Sequence, residues 1–166
     1  MKVRHDGKGS IQAVAVDSQN LGDKNVISVE DNQDLLMNPA KYAVVDGSVA
    51  LRPSLTLTAS AASAKADGTT EITVSIQAKK ADGTNDATAT YAVALMSTPR
   101  STQRPRPEVQ GAQGPAPVVT LSAQTVTLVG GIGSLTVKSA TPVKAHVLGR
   151  ADGVVSGAPV AVEFTA

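Results

Sequence analysis

The pentapeptide KADGT occurs twice, at Lys65 to Thr69 and again at Lys80 to Thr84, on either side of the stretch TEITVSIQAK. Each copy holds Asp-Gly, in which the glycine accepts positive φ without steric cost and the aspartate can bond to the backbone just ahead, so each copy reads as a tight turn. Between the turns, Ile72, Val74, Ile76 and Ala78 alternate with Thr73, Ser75, Gln77 and Lys79. That period of two is the signature of a half-buried strand. Ten residues at the strand rise span roughly 33 Å, about the height of a β-sandwich.

Composition says what such a strand can pack against. Of 166 residues, 42% are apolar but only 2% aromatic, with no Trp, Phe164 the single Phe, and Tyr42 and Tyr91 the two Tyr. The core must therefore be Val, Ile, Leu and Ala, which alternate here with Thr and Ser as in pleated sheet, and the fold class is expected to be all-β. With no cysteine, a disulfide framework, a thiolate zinc site and a thiol nucleophile are excluded. A net charge of +1 provides no basic field for nucleic acid. No run approaches the eighteen or so apolar residues of a membrane helix, and the amino-terminal apolar run Ile11 to Val16 is too short for the core of an export signal. The expectation is a chain folded in a cytoplasm, without membrane insertion.

Texture changes near residue 52. Residues 1–52 hold seven acids, Asp6, Asp17, Asp23, Glu30, Asp31, Asp34 and Asp46, against six Lys and Arg. They also contain the one convincing helix signal, EDNQDLLMNP, where acids and Asn complement the helix dipole and Pro39 closes at most two turns. Strand candidates surround it: Lys2 to Arg4 and Ile11 to Val16 about the turn DGKG, Asn25 to Glu30, and Tyr42 to Val45 with Ser48 to Leu51 about Asp46-Gly47. A β-rich unit of this size is marginal alone and must lean on something, either its own second domain or a larger assembly. Residues 53–166 read as seven or so short strands separated by Gly, Asp-Gly and Pro, the pattern of a sandwich.

One segment does not fit a compact sandwich. Ser97 to Pro117 holds five of the nine prolines and three arginines, and is expected to be a long loop of polyproline character. It reads either as a surface insertion or as a contact arm, with Arg100, Arg104 and Arg106 meeting acidic side chains of a neighbouring subunit.

Catalytic constellations are scarce. His5, expected in a turn, and His146, expected to face away from the side of Val143, Ala145 and Val147, read as ordinary surface residues. No zinc-protease, nucleophile-elbow, P-loop or dinucleotide motif occurs, and GGIG at Gly130 to Gly133 reads as a hairpin turn. The densest oxygen cluster, DGTND at Asp82 to Asp86, falls short of the six to eight ligands calcium wants. No cofactor and no resident metal are expected.

The stretch TVTLVGGIGSLTVKSATPVKAHVLGRADGVVSGAPVAVEFTA resembles the end of a bacterial immunoglobulin-like domain of the invasin and intimin type, and LTLTASAASAKADGTTEITVSIQAKKADG resembles its opening. In that family a strand, a Gly-rich turn, an alternating strand, a penultimate strand and a final strand ending in Phe-Thr follow in this order. The resemblance covers Ser54 to Ala166, departing from the pattern at Ser97 to Pro117. It implies an immunoglobulin-like sandwich used for display, spacing or adhesion, with no catalytic residues. The Cys, Trp, Cys core of antibody domains is missing.

DLLMNPAKYAVVDGSVAL resembles segments of small virion proteins of tailed bacteriophages, where such a run ends an attachment region. That resemblance implies a virion structural protein, a capsid decoration or tail accessory, built as an oligomer. Its anchor region would be Leu35, Leu36, Met37 and Tyr42, its partners other capsid or tail proteins, and its sandwich would face a bacterial surface glycan or protein. The alternative is a bacterial surface adhesin or an accessory immunoglobulin-like module of a secreted protein.

Overall fold

The computed structural model describes residues 1–15, 25–101 and 118–166. Two compact units emerge, Met1–Pro53 with Lys80–Thr84, and Ser54–Lys79 with Asn85–Ala166.

In the first unit, β1 (Lys2–His5) is the middle of a three-stranded antiparallel sheet, flanked by β2 (Ile11–Ala15) and β3 (Val26–Ser28). His5 closes β1 rather than sitting in the turn, because its N–H donates to the Asn25 carbonyl and extends the pairing with β3 by one residue. The turn that follows is stabilised by Asp6, whose carboxylate accepts from the Lys8 and Ser10 N–H groups. Helix α1 (Gln33–Met37) is short and starts where Asn32 accepts a bond from the Leu35 N–H. Pro39 then opens a single 3-10 turn, Pro39–Lys41, and the chain enters the hairpin of β4 (Tyr42–Val45) and β5 (Ser48–Leu51). Asp46 and Gly47 both have positive φ, +49° and +75°, as the two-residue turn matched to strand twist requires. Met1, Val3, Leu35, Tyr42 and Val44 form the buried centre.

The second unit is a sandwich. One sheet has the order β10-β12-β8-β6, with β6 (Ser54–Ala59), β8 (Ile72–Lys79), β10 (Thr120–Leu121) and β12 (Ile132–Lys138). The facing sheet has the order β11-β9-β13-β14-β7, with β7 (Ser63–Lys65), β9 (Ala92–Ser101), β11 (Thr125–Thr127), β13 (Val143–Arg150) and β14 (Val160–Thr165). All pairings are antiparallel except β14 with β7, which is parallel. Ile72, Val74, Ile76 and Ala78 lie fully buried on one face of β8, opposed by Val93, Val143, Val147, Val162 and Phe164 among others. His146, between the buried Ala145 and Val147, faces the other way as the alternation requires.

Both KADGT copies are turns at the ends of this region. Asp67 accepts from the Thr69 and Thr70 N–H groups at 2.8 and 2.6 Å, and Asp82 accepts from the Thr84 N–H at 2.9 Å and its hydroxyl at 2.6 Å. Gly68 and Gly83 sit at φ +76° and +83°.

Ser97–Ser101 corrects the loop expected from 97 to 117. These residues continue β9, with Ser97 opposite Val147 and Ser101 opposite Val143. Pro99 is tolerated because of backbone parity: Leu95 donates its N–H to Gln124, away from β13, so the nitrogen of Pro99 falls on that same side, past the end of β11. Residues 102–117 lie outside the described residues.

Gly131 gives a sharp test of the packing. It sits at φ +76°, and a Cβ there would fall 1.8 Å from the Asp86 carbonyl oxygen, whereas Gly153, at φ +72°, has open space around the same position. Gly153→Ala should lower unfolding stability by about 1 kcal/mol, the cost of a left-handed residue, while Gly131→Ala should cost ~3 kcal/mol or more, since backbone must move. Urea unfolding followed by far-UV circular dichroism measures both, and equal losses would contradict this geometry.

Candidate functional site

The first unit bears a surface cleft of about 590 Å³ lined by Ser28 to Gln33, Leu35, Tyr42 and Gly47 to Val49. The lining comes from the end of β3, the segment that leads into α1, α1 itself, the start of β4 and the β4-β5 hairpin. Sequence alternation puts Tyr42 and Val44 on the inner face of β4, and the helical spacing puts Leu35 against them.

Of the four candidate anchor residues, the structure buries Leu35 and Tyr42, at 1% and 8% exposure, and leaves Leu36 and Met37 outside, at 40% and 71%. The pair inside holds the unit together. The pair outside is available for contact, along with Val45 and Leu51 of the hairpin.

A small polar network ties the helix to the hairpin. The Tyr42 hydroxyl donates to Asp34 Oδ2 at 2.7 Å, while Asp34 Oδ1 accepts from Asn38 Nδ2 at 2.8 Å and from Lys41 Nζ at 3.3 Å. Chiefly through the Tyr42 hydrogen bond, then through Asn38 and Lys41, the Asp34 carboxyl is held below its usual range. The same bond, with desolvation behind it, raises Tyr42 above the ordinary tyrosine value. This network was not evident from the sequence: Asp34 and Asn38 stand four apart, the spacing of one helical turn, but Tyr42 reaches Asp34 from β4, beyond the end of the helix.

Arg100 lies in β9 with its backbone opposite Lys144, and Arg104 and Arg106 lie outside the described residues. Across the calcium candidate, Asp82 and Asp86 each cap their own turn, Asp86 accepting from the Thr88 N–H at 3.0 Å and hydroxyl at 2.7 Å. Among the described residues no group of three or more His, Asp or Glu is placed to hold a metal ion.

No family model and no curated protein matches the chain. Solved structures do. The D00-D0 domain of intimin is 27% identical over 73% of this chain, with a TM-score of 0.51, and the match takes in 52% of the intimin fragment, so the chain spans about half its length. A β-glycosidase from Bacteroides vulgatus and a glycosyl hydrolase family 2 member from Bacteroides cellulosilyticus match with TM-scores of 0.53 and 0.52 at 13% and 11% identity. Each enzyme match covers 17% of the enzyme, so what is shared is a fold and not a catalytic centre. The chain is all-β, and its second unit is an immunoglobulin-like sandwich of the kind seen in intimin.

The Asp34–Tyr42 bond predicts a linked titration. Because the folded value of Asp34 is depressed, its contribution to stability is present above about pH 4, the ordinary aspartate value, and is lost as pH falls through the lower folded value. Tyr42 works in the opposite sense: its raised folded value stabilises below about pH 10 and that contribution is lost as pH rises through it. In a Tyr91→Phe chain, where Tyr42 is the remaining tyrosine, phenolate absorbance should appear above the ordinary range, and adding Asp34→Asn should lower the pH at which it appears. An unchanged titration in the double variant would remove the bond as the cause.

Proposed function

We propose that this is a non-enzymatic display protein in which the first unit attaches to a larger assembly and the immunoglobulin-like domain is presented for binding. One observation carries the reading. A sandwich similar to part of intimin shares its chain with a small β-rich unit that leaves Leu36, Met37, Val45 and Leu51 exposed. Large apolar side chains in solvent on so small a body favour a contact surface.

The assembly we infer is the virion of a tailed bacteriophage, on capsid or tail. Support comes from the resemblance of Asp34 to Leu51 to virion attachment segments, a stretch that forms α1, the 3-10 turn and the hairpin here. Many copies on a symmetric particle would let weak contacts of each sandwich with a bacterial surface glycan or protein add through avidity. The similarity to intimin favours a second reading, a bacterial surface adhesin or a module of one.

Mass spectrometry separates the two. Particles banded by density from a lysate of the strain that encodes the chain, and the cell envelope from the same lysate, are compared for its peptides. The virion reading expects the chain in the particle band at a constant ratio to the major shell protein. Recovery in the envelope alone would overturn it in favour of the adhesin.

A further inference from the structure

Asp-Gly occurs at Asp6, Asp46, Asp67, Asp82 and Asp152, each time in a turn or bend. Glycine leaves the nitrogen that follows the aspartate unhindered, and that nitrogen is a nucleophile placed to close a five-membered ring on the aspartate's own Cγ. Whether the ring forms in a folded protein depends on what holds the two groups.

At Asp6, Asp67 and Asp82 both groups are held. The Gly7 N–H donates to His5 Nδ1 at 3.1 Å, the Gly68 N–H to the Ser139 carbonyl at 3.0 Å and the Gly83 N–H to the Lys80 carbonyl at 2.9 Å. Their aspartates are engaged as well: Asp6 accepts from the Lys8 and Ser10 N–H groups, Asp67 from those of Thr69 and Thr70, and Asp82 from that of Thr84. Led by the Lys8 N–H at Asp6, the Thr70 N–H at Asp67 and the Thr84 hydroxyl at Asp82, such bonds hold these carboxyls below the usual aspartate range. That lowers the share of neutral acid, the form whose hydroxyl can leave.

Asp46 and Asp152 differ. Neither carboxylate, and neither the Gly47 nor the Gly153 N–H, enters a hydrogen bond or ion pair among the described residues, and all four residues are exposed. Hydrogen bonding separates the two sets and space does not, since Gly83, like Gly47 and Gly153, has nothing within 4 Å of a Cβ position.

We propose that Asp46 and Asp152 are sites of spontaneous backbone modification, each turning into isoaspartate through a cyclic imide, while the other three Asp-Gly pairs are protected by their turns. At the first site the Gly47 nitrogen gives up its proton and attacks Asp46 Cγ. A C–N bond forms as the carboxyl hydroxyl leaves, and proton and hydroxyl depart as water. Water then adds back to the ring. Where it breaks the bond from nitrogen to Cγ, aspartate returns. Where it breaks the bond from nitrogen to the main-chain carbonyl carbon of Asp46, the chain runs on through Cβ and Cγ, and the former main-chain carbonyl becomes the free carboxylate. The added backbone atom falls in a two-residue turn matched to strand twist, so β5 loses its register with β4 and Val49 its place against the core of the first unit. That loss bears on attachment through the function proposed above, but the modification itself does not rest on that reading.

The test incubates the full folded chain at neutral pH beside the same chain unfolded in urea. Isoaspartate is counted by label transfer from an isoaspartate-specific methyltransferase and located by electron-transfer fragmentation in the mass spectrometer. In the folded chain it should form at Asp46 and Asp152 at least about tenfold faster than at Asp6, Asp67 or Asp82, because there both reacting groups must first leave a hydrogen bond. In urea all these sites should react at similar rates. Asp46→Asn suits the same turn and releases ammonia in place of water, so it should speed the reaction at that position and leave Asp152 unchanged. Equal rates at all the sites in the folded chain, faster reaction at Asp6, Asp67 or Asp82, or no product at either Asp46 or Asp152 while the unfolded chain reacts would overturn the proposal. No particle or partner enters this measurement, so its failure and a failure to find the chain in virions are separate results.

Discussion

Register in the sandwich depends on β8, which pairs with β6 along one edge and β12 along the other while burying Ile72, Val74, Ile76 and Ala78 completely. A slip of one residue would turn these four to solvent and drive Thr73, Ser75, Gln77 and Lys79 into an aliphatic core. Each large side chain displaced would forfeit roughly 1.5–3 kcal/mol of burial, and each polar one brought in would lack a partner. Asp67 and Asp82 oppose such a slip from both ends, because each is committed to the Thr residues of its own turn. The core has Phe164 as its one buried Phe and no disulfide to hold the sheets in place, so aliphatic side chains in correct alternation must do so.

The first unit solves a different problem. With a centre of Met1, Val3, Leu35, Tyr42 and Val44, its apolar burial is small, and polar ties such as the Tyr42–Asp34 bond connect helix to hairpin. Among the described residues no further strand pairs with β3 or β5, and Leu36 and Met37 lie exposed, features that suit the attachment proposed above.

Much of this architecture was legible from local pattern. The strand between the KADGT turns, the Asp46-Gly47 hairpin, the helix opening near Asn32 and the alternation through Val143 to Val147 are short-range signals, set by side-chain period and turn chemistry. Two strands escaped notice for a physical reason: β7 is only Ser-Ala-Lys and β10 only Thr-Leu, too short for any period, and both exist because β14 and β12 offer them an edge. Ser97–Ser101 was hidden by Pro99, which argues against a strand until its nitrogen is known to point away from β13. Among the candidate anchor residues, Leu35 and Leu36 are chemically identical in sequence, and only packing sends one inward and the other out.

The sequence by itself determined the all-β class, the aliphatic core, the turn positions and the residues that share a face of each long strand. These follow from a two-residue period and from glycine's tolerance of positive φ, properties of neighbours along the chain. Tertiary structure alone decided the order of strands in each sheet, the parallel pairing of β7 with β14, and the meeting of β3 with the hairpin turn in one cleft. Such juxtapositions join residues far apart in sequence. They are chosen by which edges and apolar faces remain to be covered once the local elements have formed, and no local pattern records that choice.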